Sequence, residues 1–174
     1  MAVIEAIATT YLESTQASVT FSSIPQTYEH LQLRISARGN ISGSAGHPMY
    51  MRINGDTGSN YSNHTMQTYG GSYLNADPYV NYAYVYQAGR VVMPNSNAAY
   101  YAATIIDILD YRNTNKNTTM IGFTESLSAS EYISFYSVLW DDTAAVTSIL
   151  LYPPSSASFV ADTTMTLYGL NSAN

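Results

Sequence analysis

Three histidines, His30, His47 and His64, stand 17 residues apart each time in this 174-residue chain. Imidazoles commonly build metal sites and general bases. These belong to no His-x-x-x-His or His-Glu pair, so local spacing brings no ligands together, and exposed or hydrogen-bonded histidines are expected. Asp107 and Asp110 would be neighbours on a helix, but on a strand they point to opposite faces. Asp141 and Asp142 follow Trp140 and superficially suggest a sugar-cleaving carboxylate pair. Adjacent carboxylates in a turn rarely reach the opposed separation of ~5 to 9.5 Å that glycoside hydrolysis needs, so capping a turn is the stronger reading. The run from Asn54 to Asn60 (Asn-Gly-Asp-Thr-Gly-Ser-Asn) offers oxygen ligands and could hold Ca²⁺. It lacks the downstream bidentate Glu of an EF-hand loop, and a glycine-rich β-turn also accounts for it. Nucleophile-elbow, dinucleotide-binding and P-loop patterns are absent. Asn40, Asn60, Asn63 and Asn117 each begin an Asn-x-Ser/Thr triplet, as chance predicts in so Asn-, Ser- and Thr-rich a chain. The residues therefore predict no enzyme and no catalytic, cofactor-binding or metal-ligating set.

Tyrosine is the informative residue. There are 17 in the chain, nine of them between Tyr61 and Tyr101, more than one core needs. Tyrosine combines a large contact area with little rotamer entropy to lose and one hydroxyl, which enriches it at interfaces. Tyr82, Tyr84 and Tyr86 alternate with Asn81, Ala83 and Val85, so one face of a short strand is all tyrosine. Tyr69, Tyr73, Tyr79, Tyr82, Tyr84 and Tyr86 are the expected interface residues; the competing reading has them plugging the domain's own core and edges.

The elements that must carry these residues read as strands. Leu31, Leu33 and Ile35 alternate with His30, Gln32 and Arg34, and Met49, Met51 and Ile53 alternate with Tyr50 and Arg52, the period-2 pattern of half-buried strands. Val19 and Phe21 sit in a short run closed by Ser22 to Pro25. Ala103 to Leu109 reads as a central strand. Tyr132 to Trp140, Val146 to Tyr152 and Thr163 to Leu170 complete the set. No window carries a helical apolar stripe. Short strands punctuated by Gly, Pro, Asn and Ser predict one all-β domain over residues 1–174. It is an antiparallel, jelly-roll-like sandwich with a long tyrosine-rich excursion around residues 55–101. Leu31, Leu33, Ile35, Ile106, Ile108, Phe135, Leu150 and Leu167 are its expected core.

Composition narrows the partners. Hydrophobic residues make up 46% of the chain, enough for a core, while charged residues make up only 10%, against a usual ~25%. So lightly charged a surface does little to keep neighbours apart. A net charge of −6 with one lysine and five scattered arginines leaves no basic patch for nucleic acid. No apolar run approaches the ~20 residues of a membrane helix, and the first residues, with Glu5 and no basic segment, do not read as a signal peptide. Without cysteine, stability must come from packing or assembly.

The runs Ser18–Tyr28, His30–Arg34, Asn54–Ser62, Ile106–Tyr111, Asn113–Lys116 and Leu167–Gly169 resemble a family of small structural proteins of tailed bacteriophages, common in aquatic and cyanobacterial phages. The resemblance spans nearly the whole chain except about residues 64–100, where family members tend to be Gly/Ser-rich and this chain is tyrosine-rich. It implies a β-sandwich virion component, assembled in the bacterial host cytoplasm, that forms a homo-oligomer, a trimer, and contacts the major capsid protein or another virion protein. It supplies no catalytic residues. A short chain without fibrous repeat or shaft favours a capsid decoration protein on the outer head surface. The alternative is a tail or fibre protein that binds a host-surface receptor or glycan.

Overall fold

Alternation of apolar and polar side chains puts one face of each strand in a core and the other outside. In the computed structural model, which describes residues 3–70, 73–127, 131–154 and 156–172, thirteen strands and no helix form. They are β1 (Val3–Tyr11), β2 (Val19–Phe21), β3 (His30–Ala37), β4 (Gly46–Pro48), β5 (Tyr50–Ile53), β6 (Tyr61–Tyr69), β7 (Tyr73–Tyr82), β8 (Arg90–Val92), β9 (Ala102–Leu109), β10 (Thr118–Ser126), β11 (Tyr132–Trp140), β12 (Ile149–Tyr152) and β13 (Thr164–Asn171). Eight build a large sheet in the order β1-β13-β3-β9-β10-β11-β6-β7, every pairing antiparallel. A three-stranded sheet, β2-β12-β5, and the pair β4-β8 form the smaller layer. The all-β sandwich expected from the sequence is present, with unequal layers.

The core lies between the layers. Leu31 and Leu33 of β3, Ile106 and Ile108 of β9 and Leu167 of β13 share one buried cluster with Phe21, Met51, Ile53, Ile149 and Leu151 of the small sheet. Two expected core residues lie elsewhere. Phe135 is 53% exposed, because β11 turns Tyr136, Val138 and Trp140 inward and leaves Phe135 outside. Both faces of that strand are apolar, so its pattern does not choose between them. Leu150 is only half-buried, since its neighbours Ile149 and Leu151 take the inward positions of β12.

The tyrosine-rich segment forms a hairpin, β6–β7, seated in the large sheet through β6 pairing with β11. The chain then returns inward. Val85 and Met51 exchange backbone hydrogen bonds (2.8 and 3.3 Å), and Ala88 N donates to Met49 O at 2.7 Å. Val85, Ala88, Val91 and Met93 are fully buried.

Two glycines permit close cross-strand packing. A Cβ on Gly122 of β10 would lie 2.1 Å from the ring of Tyr136, and one on Gly169 of β13 would lie 2.3 Å from the ring of Tyr28. Each glycine leaves a trough that an aromatic side chain covers.

Candidate functional site

An extended backbone sends alternate side chains to one side. Val85, bridged to Met51, turns inward, so Tyr84 and Tyr86 share the opposite side. On β5, Met51 and Ile53 are buried, so Tyr50 points away from the core; Tyr152 does the same on β12. These strand ends meet the foot of the β6–β7 hairpin, and the rings cluster. Tyr50 lies 4.6 Å from Tyr84, 5.6 Å from Tyr86 and 5.6 Å from Tyr152 between centroids. Tyr86 lies 4.4 Å from Tyr79 and 5.7 Å from Tyr82. Six half-buried tyrosines from four segments thus form one continuous aromatic patch, held by tilted and edge contacts of the kind aromatic quadrupoles favour.

The patch is rich in hydroxyls and poor in partners for them. Its one in-chain side-chain hydrogen bond among the described residues runs from the Tyr79 hydroxyl to Asp77, at a long 3.5 Å. The Tyr152 hydroxyl is buried without a partner. Burial, with the neighbouring phenols, pushes the Tyr50 hydroxyl up to about 12. Burial and then the Asp77 carboxylate push Tyr79 up to about 12. These two phenols stay neutral at ordinary pH. Its cation is Arg52, which lies 5.4 Å over the Tyr152 ring and donates Nε–H to Ala83 O at 3.1 Å.

The structure gathers Tyr79, Tyr82, Tyr84 and Tyr86 of the expected interface residues. Tyr69 stands apart, its ring 4.8 Å from that of Tyr132. Tyr73 begins β7, and its side chain lies outside the described residues. Arg90 lies behind both groups, 6% exposed, with its guanidinium 3.3 Å over the Tyr132 ring and Nη2 donating to Gln67 Oε1 at 3.1 Å. It has no carboxylate partner among the described residues. Tyr50 and Tyr152 are members that sequence reasoning missed. Each is a lone tyrosine in an apolar strand, and only the outward alternation against Met51 and Leu151 could have marked them.

Several of the residues first considered for chemistry hold the fold together by hydrogen bonds. Asp56 accepts from Gly58 N at 2.7 Å, Asn60 Nδ2 at 2.9 Å and Trp140 Nε1 at 2.8 Å. Asn54 Oδ1 accepts from the amides of Thr147 and Ser148 at 2.8 and 3.0 Å. The side-chain oxygens of Asp56 and Asn54 in this turn thus already hold protein donors. Asp141 accepts from Asn117, and Asp142 accepts from Ala144 N at 2.7 Å, closing a turn. His30 Nδ1 accepts from Asp110 N at 2.9 Å. No group of three or more His, Asp and Glu side chains placed to hold a metal occurs among the described residues.

No protein-family model matches the chain, and no curated protein matches it significantly. Among solved structures it is similar to the exoplasmic/lumenal domain of VIP36 in its Ca²⁺/Man3GlcNAc-bound form. There the identity is 8%, the TM-score 0.36, and the match covers 99% of this chain and 87% of that one. It is also similar to scytalido-glutamic peptidase with a transition state analog inhibitor, at 12% identity and a TM-score of 0.30, over 87% of this chain and 74% of that one. Likenesses this weak assign neither a family nor a function.

Proposed function

We propose that this chain is a structural subunit of a tailed-bacteriophage virion, a capsid decoration protein on the outer head surface, and that the tyrosine patch is its contact with the neighbouring subunit or the shell. The observation that carries the assembly role is the patch itself: six clustered tyrosines whose hydroxyls find almost no acceptor among the described residues, in a chain with few charges. Rigid aromatic side chains with free hydroxyls supply both the apolar area and the hydrogen bonds of an interface core. The placement in a phage particle rests on the sequence resemblance alone.

A tail or fibre protein that binds a host-surface glycan is the second reading. It is favoured by the same uncharged aromatic rings beside Arg52 and Asp77, groups that can stack on and hydrogen-bond a sugar.

Two experiments test these readings. Quantifying the chain in purified particles of the encoding phage should give hundreds of copies; a few to tens would favour the tail. Replacing Tyr82, Tyr84 and Tyr86 together with Ser should leave the sandwich folded and reduce occupancy on purified heads. A folded triple variant with unchanged occupancy overturns the patch as the contact. A folded, fully particle-bound variant whose phage no longer adsorbs to cells would assign the patch to a receptor.

A further inference from the structure

An antiparallel sheet with one face in a core ordinarily shows polar side chains on the other. The large sheet does not. Ile105, Ile121, Ile133, Phe135, Leu139 and Met66 all point away from the core, and Leu74 and Val80 continue this surface on β7. These residues are between 37% and 71% exposed. Of the outward positions on β9, β10, β11, β6 and β7, only Asp107 and Glu125 carry a formal charge. Asp107 already accepts from Gln32 Nε2 at 2.8 Å.

We propose that this face is where a second copy of the chain packs, sheet against sheet, about a two-fold axis. Three observations select a second copy. The first is shape. The Phe123 and Phe135 rings touch, with centroids 5.0 Å apart, and Phe123 borders two depressions as a ridge between them. One, of about 510 Å³, is bordered by His64, Met66 and Ile121. The other, of about 330 Å³, is bordered by Arg34, Ala103 and Thr166. A surface carrying both a ridge and adjacent hollows can mesh with its own rotated copy, as an isologous contact requires.

The second is area. Five strands at ~4.8 Å spacing and about nine residues at ~3.4 Å each give a footprint of roughly 700 Å² before side-chain relief. A specific interface needs about 800 Å² per partner. The third is charge. The chain carries −6 overall, yet across five strands this face carries only Asp107 and Glu125, with Arg34 at one margin. Two like-charged copies meet here with little repulsion, and a strongly charged partner would find few groups to pair with.

The proposal stands apart from the tyrosine patch and from any phage particle. Sedimentation equilibrium on the full chain, compared with Phe135→Glu and, as a second variant, Ile121→Ser, tests it. The wild type should be dimeric at low micromolar concentration. Each variant should keep its strand circular dichroism and weaken self-association by roughly 30-fold or more, as expected on losing a central anchor. A wild-type chain that stays monomeric at about 100 µM, where even a weak specific dimer forms, overturns the proposal. So does an oligomer whose dissociation constant neither folded variant changes.

Discussion

The indole N–H of Trp140 donates to the carboxylate of Asp56 at 2.8 Å, joining the end of β11 to a turn 84 residues earlier in the chain. Trp140 is buried and stacks on Tyr61 with centroids 6.5 Å apart. The Tyr61 hydroxyl in turn accepts from Ile53 N at 3.0 Å and donates to Ile53 O at 3.2 Å. Asp56, Trp140 and Tyr61 thus fasten the large sheet to the edge of the small one.

Replacing Asp56 with Ala should cost about 2–3 kcal/mol in urea unfolding, because a buried indole N–H loses a charged acceptor. The effect has a pH signature. Burial tends to raise the Asp56 carboxyl, but the donors Trp140, Asn60 and Gly58 N outweigh it and hold the group below its ordinary value. Its contribution is therefore complete above the unfolded carboxyl value of ~3.9 and is lost as pH falls through the lower folded value. The stability gap between wild type and Asp56→Asn should be flat above about pH 5 and shrink toward pH 3. A gap that grows on acidification would contradict this arrangement.

Gly122→Ala should destabilise the fold by roughly 1–3 kcal/mol or more, since the new methyl overlaps a ring that has no room to move. Tyr136→Phe should be neutral or stabilising, because the buried Tyr136 hydroxyl has no partner and deleting it removes a desolvation cost. A loss above about 1 kcal/mol for Tyr136→Phe in thermal or chemical unfolding would mean that the hydroxyl is satisfied after all.

Ile105 and Ile106 are neighbours on β9 that face opposite ways. Ile106 is fully buried, whereas Ile105 is on the outer face. Ile106→Ala should cost about 2–5 kcal/mol. Ile105→Ala, measured in dilute solution, should cost less than about 1 kcal/mol. Equal losses would show that the two faces have been exchanged.

Tyrosine ionisation followed by ultraviolet absorbance should be biphasic. Exposed phenols titrate near ~10. Tyr50, Tyr61 and Tyr79, pushed up by burial to about 12, should follow later. These raised values favour the neutral folded form. Their contribution is intact below the unfolded value and is lost as pH climbs from ~10 through the folded value. In the Tyr82/Tyr84/Tyr86→Ser variant the part of the late phase that belongs to Tyr50 and Tyr79 should move toward ~10, because the packing that desolvates them is reduced, while Tyr61 and Tyr136 stay late. A single phase near 10 in the wild type would mean that the cluster is open to solvent.

The sequence by itself determined that the chain is all-β, because alternation as in Leu31-Gln32-Leu33-Arg34-Ile35 fixes both the element and its inward face whenever only one face is apolar. It also marked Tyr82, Tyr84 and Tyr86 as neighbours, but expected them on one short strand; the strand ends at Tyr82, and Tyr84 and Tyr86 follow in a bend and a turn on either side of the isolated Val85–Met51 bridge, so it is the tertiary fold that brings their rings together. It did not announce β1 or β10. β1 is an edge strand with most of its side chains exposed, and β10 is interrupted at Gly122, so neither carries a clean pattern. Only the tertiary structure decided that Phe135 faces out and Tyr136 in. Ile133-Ser134-Phe135-Tyr136-Ser137-Val138-Leu139 is apolar on both sides, and the choice was made by the trough at Gly122, which accepts the ring of Tyr136. Tertiary structure likewise brought Tyr50 and Tyr152 to Tyr84. Their separation along the chain leaves no local signal, and they meet because β5, β12 and the segment around Val85 are joined by backbone hydrogen bonds.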